Sequence, residues 1–115
     1  DVEEIVSLYL QIKKEYLVYT STNKLNTQTY EFVAVARDGS YRCFPQVKTG
    51  GESLNGNKYK HLATNGNKVY LFAVSQNYNN INGENIIGLD KKELLAFVYS
   101  HVNLMPERIR LWINE

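Results

Sequence analysis

Two strand-like runs around an Asp-Gly pair constrain the fold of this chain most. Residues 29–37 and 40–48 are rich in β-formers, and Asp38-Gly39 stands between them. An Asp-Gly pair in this setting is typical of a two-residue hairpin turn, because both central positions need a positive φ. Such a turn places Arg37 opposite Ser40, and the numbers of opposed residues then add up to 77 along the hairpin. We predict an antiparallel hairpin over residues 29–48 with Asp38-Gly39 at its tip.

This register sorts the side chains of the hairpin onto two faces, because successive residues of a strand point to opposite sides. One face is almost wholly apolar and is predicted to face the core: Tyr30, Phe32, Ala34, Ala36, Tyr41, Cys43, Pro45 and Val47. The other face is apolar in the middle and polar towards its ends: Glu31, Val33, Val35, Arg42, Phe44, Gln46 and Lys48. We therefore interpret Cys43 as a small core residue rather than a nucleophile.

The rest of the chain alternates between helical and extended patterns. Helical spacing of apolar residues over 2–15 predicts an amphipathic helix with Asp1 as its N-cap and Glu4 completing a capping box. The remaining predictions are a strand over 16–20, loops over 21–28 and 49–57, a short helix over 58–64, a strand buried on both faces over 68–75, an exposed Asn-rich loop over 76–88, a helix capped by Asp90, and a last short helix opened by Pro106. This order predicts an α/β sandwich with a mixed sheet.

Length and composition limit the class of protein. The 115 residues fit one domain, and the 43% hydrophobic and 22% charged content excludes a disordered chain. The short apolar runs exclude a membrane span, and we expect no signal peptide and no membrane partner. A single cysteine excludes an internal disulfide and a cysteine-based zinc site, and it favours a cytoplasmic location. The sequence leaves open a homodimer and further domains of a longer chain.

Charge is distributed unevenly along the chain. Residues 37–68 hold six Lys and Arg against two acids, whereas residues 1–15 hold four acids against two lysines. This distribution fits a surface for an anionic ligand beside a metal site, and it equally fits ordinary solvated surface. If the basic stretch binds nucleic acid, Lys58, Lys60 and Arg42 are the candidate contacts.

An acid, an amide and an ammonium group meet at the open end of the predicted hairpin. Glu31 lies opposite Gln46, and Lys48 is its diagonal neighbour on the same face. A carboxylate with nearby oxygens can bind Mg²⁺, and a neighbouring lysine can orient water and stabilise charge on a phosphate. The alternative interpretation is a simple cross-strand ion pair between Glu31 and Lys48 on the sheet surface.

With this hairpin and with Glu31 followed by Gln46-Val47-Lys48, the chain resembles the PD-(D/E)xK restriction-endonuclease-like superfamily. Its Mrr-type branch, which often has Gln-x-Lys, is the nearest in pattern, and the resemblance covers most of residues 1–100. It implies a single restriction-endonuclease-like domain, with a mixed central sheet, a β-hairpin core and flanking helices. It further implies a Mg²⁺- or Mn²⁺-dependent endonuclease acting on DNA in a restriction or defence system. Glu31, Gln46 and Lys48 would be catalytic, and Glu31, Glu3 and the backbone carbonyl of Val47 would bind the metal.

Two departures from the family pattern keep other functions open. Glu31 stands where the family usually has Asp, and Gln46 replaces the second acid, which removes a negative charge from the site. One alternative is a catalytically inactive module of this fold that binds nucleic acid or a protein partner. Another is a small interaction protein, such as an inhibitor or a subunit, with no nucleic-acid role.

Overall fold

The computed structural model describes residues 2–21 and 31–101, with side chains for residues 2–18 and 33–101. The helices are α1 (Val2–Ile12), a short 3-10 helix (Gly56–Leu62) and α2 (Lys91–Ser100). The strands are β1 (Leu17–Ser21), β2 (Glu31–Val35), β3 (Arg42–Lys48), β4 (Leu54–Asn55), β5 (Lys68–Ala73), β6 (Tyr78–Asn79) and β7 (Ile86–Gly88).

Five of these strands form one mixed sheet in the order β1-β2-β3-β5-β7. The first three strands are antiparallel neighbours, whereas β3, β5 and β7 run parallel to one another. A separate parallel pair joins β4 to β6. The predicted α/β architecture with a mixed sheet and flanking helices is therefore confirmed.

The core lies on both sides of the sheet. On one side α1 and α2 pack against the sheet in a cluster that we call the helix-side core: Ile5, Val6, Tyr9, Leu10, Tyr16, Ala34, Ala36, Cys43, Tyr70, Phe72, Leu89, Leu94, Phe97 and Val98. On the other side a smaller cluster, the loop-side core, lies beneath the 3-10 helix: Leu54, Val69, Leu71, Ala73 and Ile86. Residues of β5 alternate between the two clusters, so this strand is buried on both faces as predicted.

The hairpin register is confirmed, but the predicted turn type is wrong. Ala34 pairs with Cys43 and Val35 with Arg42, which are the partners that a sum of 77 requires. The connection is nevertheless a four-residue loop over 37–40, bounded by a hydrogen bond of 3.0 Å from the Ala36 N–H to the Tyr41 carbonyl. Within this loop only Gly39 has a positive φ, of 75°.

The side chain of Asp38 explains the longer loop. Its carboxylate accepts hydrogen bonds from the Ser40 N–H at 2.9 Å and from the Ser40 hydroxyl at 2.7 Å. The hydrogen bond from the Ser40 hydroxyl, and to a lesser extent the bond from the Ser40 N–H, lower the pKa of the Asp38 carboxyl. Because these side-chain hydrogen bonds stabilise the four-residue loop, Asp38 does not need the left-handed conformation that a two-residue turn would impose.

Both long helices are present, although α1 is shorter than predicted. It ends at Ile12 because Glu15 adopts a positive φ of 61°, and the Tyr16 N–H then bonds to the Leu10 carbonyl at 3.0 Å. The predicted cap of α2 is confirmed, since the Asp90 carboxylate accepts from the Lys92 N–H at 2.8 Å. In the described ranges no helix combines the length and the apolar character needed to cross a membrane. The N-cap at Asp1, most of the predicted loop over 21–28 and the helix at Pro106 lie outside the described residues.

Two segments predicted as loops contain strands. The segment 49–57 includes β4, and 76–88 includes both β6 and β7. The side chain of Asn82 fixes the backbone just before and at the start of β7. Its oxygen accepts hydrogen bonds from the N–H groups of Glu84, Asn85 and Ile86 at 2.8–3.0 Å. Strands of two or three residues show no periodicity of their own, so only pairing with a neighbour reveals them. The short helix predicted over 58–64 begins earlier, and it is a 3-10 helix capped by the Asn55 side chain.

Candidate active site

Gln46 and Lys48 lie on the same face at the carboxyl end of β3. Phe44 packs against the loop-side core and Val47 against the helix-side core, so the even-numbered residues of β3 face the loop side. Gln46 pairs with Leu71 and Lys48 with Ala73 of the neighbouring parallel strand. Both polar side chains are half-buried. The structure therefore brings these two predicted site residues together and confirms that Val47 points inward.

Glu31 is the first residue of β2, where it pairs with Ser21 of β1. Its side chain lies outside the described part of the structure. The described ladder between β2 and β3 holds the pairs at Ala34 and Val35, and Pro45 has no N–H with which to extend it. The placement of Glu31 opposite Gln46 consequently stays a prediction.

The backbone carbonyl of Val47 is directed towards β2. The neighbouring carbonyl of Lys48 accepts the Val74 N–H at 3.0 Å, so it points to β5 on the other side of β3. Successive carbonyls of a strand point in opposite directions, so that of Val47 points away from β5, to the side of β3 on which β2 lies. The metal-binding role of this carbonyl stays a prediction.

The first turn of α1 lies at the same edge of the sheet but on the opposite face. Val2 and Ile5 line an apolar cavity of about 100 Å³ together with Phe72 and Val74, which lie at the end of β5. Glu3 is half-buried in this turn. The helix thus carries Glu3 to the correct edge, whereas Gln46 and Lys48 point to the other side of the sheet. A metal-binding role for Glu3 stays a prediction.

The predicted phosphate contacts separate into two locations. Tyr59 and Leu62 anchor the 3-10 helix to the loop-side core, and Lys58 and Lys60 are exposed on it. These two lysines therefore lie on the same side of the sheet as Lys48.

Arg42 is exposed at the opposite end of β3, six residues before Lys48. At about 3.3 Å per residue the two Cα atoms are roughly 20 Å apart. The Arg42 N–H donates to the Asn67 side chain at 2.8 Å, at the amino end of β5. The structure thus does not bring Arg42 to the edge that carries Gln46 and Lys48.

The loop after Lys48 carries an acid that the sequence pattern did not single out. The Ser75 hydroxyl donates to the backbone carbonyl of Glu52 at 2.9 Å, and the Leu54 N–H donates to the Asn77 carbonyl at 3.0 Å. These bonds attach residues 52–54 to the segment that follows β5. The sequence feature that could have identified this acid is its position four residues after Lys48, separated from it by Thr49-Gly50-Gly51.

The hydroxyl of Tyr78 holds this edge of the sheet together. It accepts the Ala73 N–H at 3.0 Å and donates to the Leu89 carbonyl at 2.7 Å, which joins the ends of β5 and β7. Burial raises the pKa of Tyr78, so the hydroxyl remains protonated and able to donate. The Gln76 side chain adds bonds to the Ala73 and Leu89 carbonyls and accepts the Lys91 N–H.

Within the described part of the chain, no three His, Cys, Asp or Glu side chains come together as a metal site. The side chain of Glu31 lies outside this part of the chain. Comparisons with protein-family models, with curated proteins and with solved structures each found no match.

Proposed function

We propose that this chain is a metal-dependent DNA endonuclease domain of the PD-(D/E)xK type that hydrolyses phosphodiester bonds in a restriction or defence system. The observation that carries the proposal is the shared face of Gln46 and Lys48 at the carboxyl end of β3. β3 pairs with β2, whose first residue is Glu31, and continuation of the same register would bring Glu31 to that end.

The arrangement of the elements supports this proposal. A helix precedes three antiparallel strands, and β5 then adds to β3 in parallel after a crossover. The resemblance found in the sequence implies a hairpin core in a mixed sheet with flanking helices. A restriction-endonuclease-like sandwich is the finer description that we propose for this α/β domain.

The donor atoms proposed for the site suit Mg²⁺ or Mn²⁺. They are the Glu31 carboxylate, the side-chain oxygen of Gln46 and the Val47 carbonyl, and Glu3 is the fourth candidate. All are oxygen donors, which Mg²⁺ prefers, and water completes its shell in most protein sites. A bound cation would supply charge neutralisation for the phosphodiester during hydrolysis.

The remaining steps, positioning of the water and of the DNA, would depend on side chains of the protein. The Lys48 ammonium group would orient the attacking water and stabilise the negative charge that develops on the phosphate. The Gln46 amide would hold the same water or bind the metal through its oxygen. Lys58 and Lys60 would bind backbone phosphates of the duplex and hold it on the loop side of the sheet.

The test is cleavage of supercoiled and linear duplex DNA by the purified protein with Mg²⁺ or Mn²⁺. We expect nicking or cleavage by the wild type and none by Lys48→Ala, with the circular dichroism spectrum unchanged. Lys92→Ala is the matched control, because Lys92 is an exposed lysine on α2, on the other side of the sheet. Cleavage that survives Lys48→Ala would assign the activity to another site or to a contaminant.

A second candidate function is a catalytically inactive module of the same fold that binds nucleic acid. The amide of Gln46 favours it, because a carboxylate at this position would hold a divalent cation more strongly. This candidate predicts salt-sensitive DNA binding that needs no metal, and no cleavage of any duplex substrate.

A further inference from the structure

Glu52 lies at the same edge of the sheet as Lys48. The Lys48 carbonyl accepts the Val74 N–H at 3.0 Å, and the next residue, Ser75, donates its hydroxyl to the Glu52 carbonyl at 2.9 Å. Two hydrogen bonds from adjacent residues thus tie Lys48 and Glu52 to the end of β5. The position of Glu52 is set by this anchor as well as by the short connection from Lys48.

The loop that carries Glu52 runs towards the face on which Gln46 and Lys48 lie. Two residues after Glu52, Leu54 is 2% exposed and belongs to the loop-side core. The loop therefore crosses from the end of β3 to the loop side. In contrast, the helix that carries Glu3 packs on the helix side. Of these two acids, Glu52 is the one whose segment lies on the face of Gln46 and Lys48.

The carboxylate of Glu52 folds back along the loop rather than away from it. A Cβ atom at residue 50 would overlap the Glu52 Oε1 atom, so the carboxylate lies beside the backbone of Gly50. The backbone carbonyl of Glu52 is bonded to Ser75, while its exposed carboxylate has no hydrogen-bond or ion-pair partner within the described residues. The carboxylate is thus available to a ligand.

We propose that Glu52 supplies the second carboxylate of the metal site, in place of the acid that Gln46 does not provide. This inference rests on the proposed function. With Glu31 as the only acid from the strands, the site would offer one negative charge to a divalent cation. Glu52 would add a second charge on the same face, from the segment that directly follows Lys48.

Binding of Mn²⁺ alone tests the inference without relying on activity. The free ion is measured by electron paramagnetic resonance in titrations of the wild type, Glu52→Gln, Glu31→Gln and Glu84→Gln. Glu84 is the matched control, because it is an exposed acid at the amino end of β7, remote from the carboxyl ends of the strands. We expect Glu52→Gln to raise the Mn²⁺ Kd at least about tenfold, because even the loss of a residue that only hydrogen-bonds to a metal ligand weakens metal affinity by about that factor. We expect Glu84→Gln to leave the Kd unchanged.

The outcomes separate this inference from the proposed function. If Glu31→Gln weakens Mn²⁺ binding and Glu52→Gln does not, the role of Glu52 is overturned and the metal site stands. If Glu84→Gln weakens binding as much as Glu52→Gln, the effect is general electrostatics and the role of Glu52 is again overturned. If the wild type binds no Mn²⁺, the proposed metal-dependent function fails, and the inference fails with it.

Discussion

The Val74 N–H donates to the Lys48 carbonyl at 3.0 Å, so the carboxyl ends of β3 and β5 lie side by side. In open α/β sheets, ligands bind in the crevice outside the carboxyl ends of parallel strands. In this protein that edge carries Lys48, the loop with Glu52 and the first turn of α1. The parallel pairing of β3 with β5 therefore assembles the candidate site from segments that are distant in sequence.

DNA binding should depend on the two lysines of the 3-10 helix. We expect the double variant Lys58→Ala/Lys60→Ala to weaken duplex binding about equally for different sequences, because phosphate contacts carry no base information. The slope of log K against log salt should become shallower by about 0.9 for each phosphate that the protein no longer neutralises. Fluorescence anisotropy at several salt concentrations measures both effects.

The control for this double variant is Lys91→Ala/Lys92→Ala, which removes the same charge from exposed positions on α2. It should leave the salt slope almost unchanged. Equal slopes for the two double variants would contradict a phosphate-binding role for the 3-10 helix.

Tyr16→Phe should destabilise the protein by about 1–3 kcal/mol, the usual cost of leaving buried polar groups without a partner. The Tyr16 hydroxyl bonds to the Tyr70 hydroxyl at 2.9 Å and to the Tyr41 hydroxyl at 3.1 Å. Tyr70 is only 4% exposed, so water cannot readily replace the missing bond. Urea unfolding measures the change, with Tyr99→Phe, at a residue 62% exposed, as the neutral control. Equal stability of the two variants would contradict a structural role for this hydroxyl network.

Stability should fall in the alkaline range. Burial raises the pKa of Tyr16 and Tyr70 above the ordinary value of 10.0 and that of Cys43 above 9.0. The folded protein then keeps these protons at a pH at which the unfolded chain has released them. With respect to these groups, the free energy of unfolding should therefore be level between neutral pH and about pH 9 and should decrease as the pH rises further. Urea unfolding between neutral and alkaline pH measures the effect, and a free energy that rises with alkaline pH would contradict it.

Gly56→Ala should destabilise the protein by about 1–3 kcal/mol, the usual cost of overpacking a well-packed site. A Cβ at residue 56 would overlap the Asn80 carbonyl oxygen and lie 3.0 Å from a methyl carbon of Ile86. The backbone oxygen cannot move aside as a flexible side chain would. Gly51→Ala is the control, since a Cβ there meets nothing within 4 Å. Thermal unfolding compares the two variants, and equal midpoints would show that the Asn80 backbone can move aside.

Local sequence patterns were sufficient to predict a structural feature wherever that feature depends on interactions between residues close together in the chain. The hairpin register followed from the Asp-Gly position and from strand alternation, and this placed Gln46 and Lys48 on the face opposite Val47. The apolar run over 68–75 predicted a strand buried on both faces, which β5 is. Asp90 was recognisable as an N-cap because a cap needs only the backbone of the next turn.

Tertiary structure decided the features that depend on a partner distant in sequence. Ile86 and Ile87 form a strand because they pair in parallel with the edge of β5 that β3 does not cover. The candidate site divides between two faces because α1 packs on the helix side, whereas the loop with Glu52 is attached to Ser75 on the other side of the edge. The sequence by itself determined which residues form β3 and which way they point. Only the packing of the chain determined which acids reach its end, because sheet pairing and loop attachment depend on contacts between segments that the local pattern does not encode.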